Sequence, residues 1–160
     1  MIIQRKYIIL IITAVSVILT DQLSKWYITV SLSLHETIPV IEGFFSITSI
    51  RNPGAAFGFL SGMPPLFRTV FFLGLSAGAI VVIFLFIRFH TKKNDALVCA
   101  LSLIFGGAVG NMIDRIHLGE VIDFIDLSAG PYHWPAFNIA DSAITVGAVL
   151  LLWDMIRKER

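Results

Sequence analysis

The stretch LFRTVFFLGLSAGAIVVIFLFIRF, Leu66–Phe89, decides the class of this protein. Its only charged residues, Arg68 and Arg88, sit near its two ends. A bilayer core of about 30 Å needs about 20 apolar residues in a helix, and this run supplies them. Reading outward, three more runs qualify: Tyr7–Trp26, Ala96–Ile113 and Phe137–Ile156. The chain therefore reads as an all-α integral membrane protein with four transmembrane helices. Its 160 residues are 56% hydrophobic and only 14% charged, against roughly 25% charged in soluble domains. The mean hydropathy is +0.83. This length suits a single membrane domain over residues 1–160, with no room for a second sizeable one.

Composition also narrows the function. A net charge of +1 with no long basic run gives no footing for nucleic acid. Cys99 is the only cysteine, so neither an intrachain disulfide nor a cysteine-based metal site is open to the chain. His35, His90, His117 and His133 are scattered without an HExxH spacing, so no metal and no cofactor are expected. Arg5 and Lys6 precede the first apolar run as in a signal peptide, but no small-x-small cleavage site follows. That run is expected to stay as the first span and to serve as the targeting signal.

Basic residues orient the spans. Arg5 and Lys6, then Arg88, Lys92 and Lys93, then Arg157, Lys158 and Arg160 fall on one side, expected to be cytoplasmic together with both termini. Loops 28–65 and 116–135 then face outward. Trp26, Tyr27, Tyr132 and Trp134 suit the outer interface, and Trp153 the inner one. In the first outer loop, Ile38–Ile50 favours short strands. Arg51–Gly58 reads as a turn around Pro53 and Gly54, and Pro64 and Pro65 suit a helix start. A small sheet resting on the outer leaflet is expected. Gly106, Gly107, Ala108 and Gly110 in span three, with Ala140, Ala143, Gly147 and Ala148 in span four, predict close packing of those two helices.

This topology brings four acids, Asp21, Asp114, Asp123 and Asp141, toward one face. Insertion scales put the cost of such an acid at about 2.5–3.5 kcal/mol at a helix centre. Each also has an ordinary structural explanation. Asp114 can pair with Arg115 or another cation and tie down the end of span three. Asp21 and Lys25 are one helical turn apart and can pair. Asp123, between Ile122 and Phe124, can sit in a turn or cap a helix, and so can Asp126. Asn138 can cap span four, and Asp141 suits the positive end of its dipole. Asn52 can close an Asx turn. Asn111, Asp114 and Arg115 share one helix face. Two carboxyls held close share a proton, so one can take a proton from water while the other polarises a carbonyl. Asp114, Asp123 and Asp141 are the candidates for such a pair, and residue chemistry does not choose among them. A proton-coupled transporter and a non-enzymatic assembly factor are the competing classes. An intramembrane aspartyl protease of another kind would need a Gly-x-Gly-Asp signature, which is absent.

The blocks Asp21-Gln22-x-x-Lys25, Arg51-Asn52-x-Gly54-Ala55-Ala56-Phe57-Gly58, Gly110-Asn111-x-Ile113-Asp114-Arg115, Val121-x-Asp123-Phe124 and Phe137-Asn138-x-Ala140-Asp141 together resemble bacterial lipoprotein signal peptidase, the type II signal peptidase. The resemblance implies four helices with a small periplasmic β-sheet (a β-cradle) and a short, mobile periplasmic helix. It implies an aspartic endopeptidase of the inner membrane that removes signal peptides from prolipoproteins, cutting before a diacylglyceryl-modified cysteine. By the same match Asp123 and Asp141 are the catalytic pair, and Asn52, Asn111, Arg115 and Asn138 line the substrate and inhibitor site. Asp21, Lys25, Gly54 and Asp114 fall on structural or supporting positions. The partners it implies are prolipoprotein substrates, membrane lipid and globomycin-type inhibitors. The chain is expected to act as a monomer.

Overall fold

The computed structural model of the chain describes residues 4–54, 60, 62–91 and 94–158. Four helices are long and apolar enough to cross a membrane: α1 (Arg5–Ser31), α2 (Pro65–His90), α3 (Asp95–Leu118) and α4 (Ile139–Lys158). Four strands, β1 (Thr37–Ile41), β2 (Phe45–Asn52), β3 (Val121–Ala129) and β4 (Tyr132–Phe137), form one antiparallel sheet in that order. Ala55, Ala56, Phe57, Gly58, Lys92, Lys93 and Arg160, which figured in the sequence reading, lie outside the described residues. The expected short outer helix has no counterpart among the described residues.

The helices overrun the spans read from hydropathy. α1 continues past Trp26 to Ser31, and α3 past Ile113 to Leu118. Hydropathy falls where Asp21, Lys25, Asp114 and Arg115 appear, but their polar groups are satisfied inside the bundle, so the helices continue. At α4 the correction runs the other way. Phe137 closes β4 and the helix starts at Ile139. Most of the connection over 116–135 is the hairpin of β3 and β4. Its turn holds Gly130 at φ +59°, a left-handed value that favours glycine.

α3 is the core helix. It packs against α1, α2 and α4, and 56% of its most apolar window is buried, against 22% or less for the other three. In lipid, helices gain little from the hydrophobic effect and rely on close contact. Small residues allow that contact. A Cβ on Gly107 would collide with the Ala140 carbonyl, and one on Gly147 would lie 2.6 Å from the Ala100 carbonyl. The expected packing of α3 on α4 is present.

At the end of the bundle holding the chain's first residues, Leu10, Ala14, Ile83, Ile87, Leu97, Val98 and Leu101 form an apolar cluster. Lys6 Nζ caps the last turn of α2 there, donating to the carbonyls of Ile87 (2.9 Å) and Arg88 (2.6 Å). Asn94 caps α3 through Leu97 N and also donates to Asp154. The sheet lies at the other end. Its central β2–β3 pair joins the two long connections, with Ile50 opposite Asp123 and Asn52 opposite Val121. The register shifts between Ile47 and Ile50, beside Asp123, and such irregularities re-aim side chains.

Candidate active site

Gly119, at φ +75°, ends α3 and turns the chain into β3. β3 then carries Asp123 inward, where it is 1% exposed. Asp123 is neither in a turn nor a helix cap, the structural alternatives for it: it is a strand residue, held from both sides. Asn52 Nδ2 donates to its Oδ2 and Asn138 Nδ2 to its Oδ1, both at 2.8 Å. Asn52 also closes the expected Asx turn, its Oδ1 accepting from Gly54 N at 3.0 Å. One side chain thus shapes the turn and positions the acid.

Asp141 lies in the first turn of α4. Asn138 caps that helix, its Oδ1 accepting from Asp141 N at 2.8 Å. Cap and site contact coexist, because the amide's nitrogen reaches Asp123 while its oxygen holds the backbone of Asp141. Asn111 Nδ2 donates to Asp141 Oδ1 at 2.7 Å. Asp123 and Asp141 line one cavity of about 660 Å³ with Asn52, Gly54, Asn111 and Arg115. Burial pushes the Asp123 carboxyl up to about 7, and the nearby Asp141 charge adds to this; the amides of Asn52 and Asn138 and the Lys25 charge pull against it.

A second carboxylate group lies directly behind. Lys25 Nζ is 2.8 Å from Asp21 Oδ2 and 2.8 Å from Asp114 Oδ2, with all three side chains at most 3% exposed. The i, i+4 pair of Asp21 and Lys25 is present as expected. Asp114 pairs with Lys25 rather than with Arg115. Asp21 also accepts from Ala140 N (2.9 Å) and Asp114 from Ile122 N (3.2 Å), so the group ties α1 and α3 to α4 and β3. Arg115 instead reaches the carbonyls of Asn111 and Gly54, each at 3.3 Å, and lies 4.9 Å over the Phe72 ring. Asp126 is on β3, away from this network, with His133 Nε2 at 3.2 Å.

Sequence reasoning gave no role to Gln22, whose amide bonds Asp21, Asp114 and the Gly110 carbonyl. A costly amide inside an apolar run was the available signal. It also passed over the apolar cavity wall of Leu127, Phe137, Ile144 and Val146, which nothing in composition distinguishes from lipid-facing residues.

The family model for signal peptidase II matches residues 13–157. The chain belongs to the signal peptidase II family. A lipoprotein signal peptidase of Syntrophus aciditrophicus is 49% identical over 157 residues, covering 98% of each chain. One from Bacillus pumilus is 44% identical over 145 residues, covering 91% of this chain and 90% of its own. Among solved structures, a bacterial membrane enzyme determined in meso at 2.3 Å superposes with a TM-score of 0.85 at 37% identity, covering 94% of this chain and 88% of that one. Family membership makes the chain a peptidase, one that acts in lipoprotein processing and lies in a membrane.

Proposed function

We propose that this chain is an aspartic endopeptidase that removes the signal peptide of a prolipoprotein, cutting before the diacylglyceryl-modified cysteine, with Asp123 and Asp141 as its catalytic pair. The observation that carries the reading is the arrangement of those two acids at one cavity: no cation contacts either carboxylate directly among the described residues, and amides hold both. Burial and the neighbouring Asp141 charge raise the Asp123 carboxyl to about 7, so it can keep a proton at neutral pH for the pair to share.

The ionised member takes a proton from water as the water oxygen attacks the scissile carbonyl carbon. The protonated member gives its proton to the carbonyl oxygen. As the tetrahedral intermediate collapses and the C–N bond breaks, that proton returns to the carboxylate that gave it, and the proton taken from water passes from the other carboxyl to the leaving nitrogen. Asn52 and Asn138 hold Asp123, Asn111 holds Asp141, and Arg115 stands at the cavity to orient the substrate backbone or its lipid-linked head. The substrate enters sideways from lipid, its acyl chains staying in the bilayer. The basic clusters support a reading with the termini in the cytoplasm and the site at the periplasmic face of the inner membrane. Globomycin-type peptides would compete for the same cavity.

The test is incubation of the purified protein with a diacylated prolipoprotein, with and without globomycin, following release of the signal peptide. Cleavage by the wild type and its loss in Asp123→Asn and Asp141→Asn is the expected result. Normal turnover by either variant would remove that residue from the pair.

A further inference from the structure

The ammonium of Lys25 has three N–H groups, and three acceptors surround it: Asp21 Oδ2 at 2.8 Å, Asp114 Oδ2 at 2.8 Å and Asn111 Oδ1 at 2.9 Å. The first two contacts account for its burial. The third is not needed for charge balance, and its partner Asn111 lines the cavity.

An ammonium has no acceptor, so the atom of Asn111 that it touches must be the amide oxygen. Asn138 Nδ2, 3.2 Å from the same oxygen, requires the same assignment. The amide nitrogen of Asn111 is therefore turned to Asp141 Oδ1, 2.7 Å away. Side-chain amides are nearly symmetric in shape and can flip, and here the chemistry of two donors fixes the choice. With the flip reversed, two oxygens would face each other and Asp141 would have to hold a proton.

We infer that Lys25 is a positioning residue for catalysis: as the charged and nearer of the two donors that orient the Asn111 amide, it keeps a donor on Asp141 and so biases which protonation state the carboxylate pair adopts. This rests on the proposed role of Asp123 and Asp141, and it gives the Asp21–Lys25–Asp114 group a task beyond bracing helices. The charged groups facing the pair are Asp21 and Lys25 from α1 and Asp114 and Arg115 from α3, while β2 presents the neutral Asn52. Lys25 is the cation that bonds directly to an amide holding the pair.

Lys25→Met alone leaves two buried carboxylates without their cation and can fail to fold. The decisive variant is Lys25→Met/Asp21→Asn, which removes one charge of each sign. Both variants and the wild type are purified, and cleavage of a diacylated prolipoprotein is measured as kcat and KM against pH, beside thermal unfolding. In the double variant the unfolding temperature should recover toward wild type while kcat stays down by about tenfold or more, the worth of one hydrogen bond to a charged group. KM should stay within about twofold, and the acid limb of the kcat profile should move to higher pH by about one pH unit, because the ionised form has lost a donor while the opposite charges of Lys25 and Asp21 are removed together. Recovery of kcat together with stability, or an acid limb that does not move, overturns the inference and leaves Lys25 a purely structural residue. Full cleavage by Asp123→Asn or Asp141→Asn, run in parallel, would instead remove the reading on which the inference rests.

Discussion

Two carboxylate pairs sit side by side at one end of this bundle, and they differ in what lies between their members. Asp21 and Asp114 are bridged by Lys25. Asp123 and Asp141 are bridged by the amides of Asn111 and Asn138. Both pairs are largely withdrawn from water. A cation neutralises a carboxylate and locks its geometry, giving a brace. A neutral amide fixes position without supplying charge, so at Asp123 desolvation still favours the protonated form. The same residue type thus yields a strut or, in the reading proposed above, a reactive group, depending on whether its partner is charged.

The largest expected effect separates the two pairs by function. Asp123→Asn or Asp141→Asn should lower cleavage by at least about a thousandfold, within the range by which acid–base groups act, with the protein still folded by circular dichroism and thermal melt. Loss of fold with normal specific activity in the surviving fraction would erase the distinction. Next is the brace. Lys25→Met should cost about 3–5 kcal/mol of stability, the usual result of breaking a buried ion pair, measurable by denaturant unfolding in micelles. A loss below about 1 kcal/mol would mean the brace is not one.

A third measurement uses pH. In the folded chain Asp123 holds its proton up to about 7, against an ordinary value of 3.8. The folded state therefore binds the proton more tightly, and this contribution to stability is full below about pH 4 and lost as pH rises through 7. Asp123→Asn abolishes that dependence, so its stability relative to wild type should rise by on the order of 2–4 kcal/mol between pH 4 and 8. A difference that does not change with pH would refute the desolvated state of Asp123. Wild-type kcat should also fall as the pair loses its shared proton above about pH 7. The smallest effect belongs to Gly110. A Cβ there would stand 2.7 Å from Asp21 Oδ2, so Gly110→Ala should cost about 1–3 kcal/mol through overpacking and disturb the brace before the cavity. An unchanged melting temperature would show that Asp21 can yield.

The helices were legible in the sequence because membrane solvation acts on each run of residues separately. Their ends were not, because a polar residue ends a hydropathy run whether or not a distant partner satisfies it. Lys25 and Asp114 do so for one another across α1 and α3. β3 was missed for a related reason. Val121, Ile122, Asp123 and Phe124 are all buried, so the strand shows no alternation, and its pairing with β2 depends on a segment far away in sequence. The acids themselves were visible through the cost of burying them. The choice of pair came only through resemblance, since partner identity is a three-dimensional property. Gln22 and Phe72 illustrate the remainder, their roles set wholly by what lies opposite.

Asn138 joins the last strand to the last helix and touches both acids' surroundings with one side chain. In chain order that residue follows α1, α2 and α3. The carboxylates of β3 and α4 therefore share a frame only once the last strand and the head of the last helix have docked on the earlier helices.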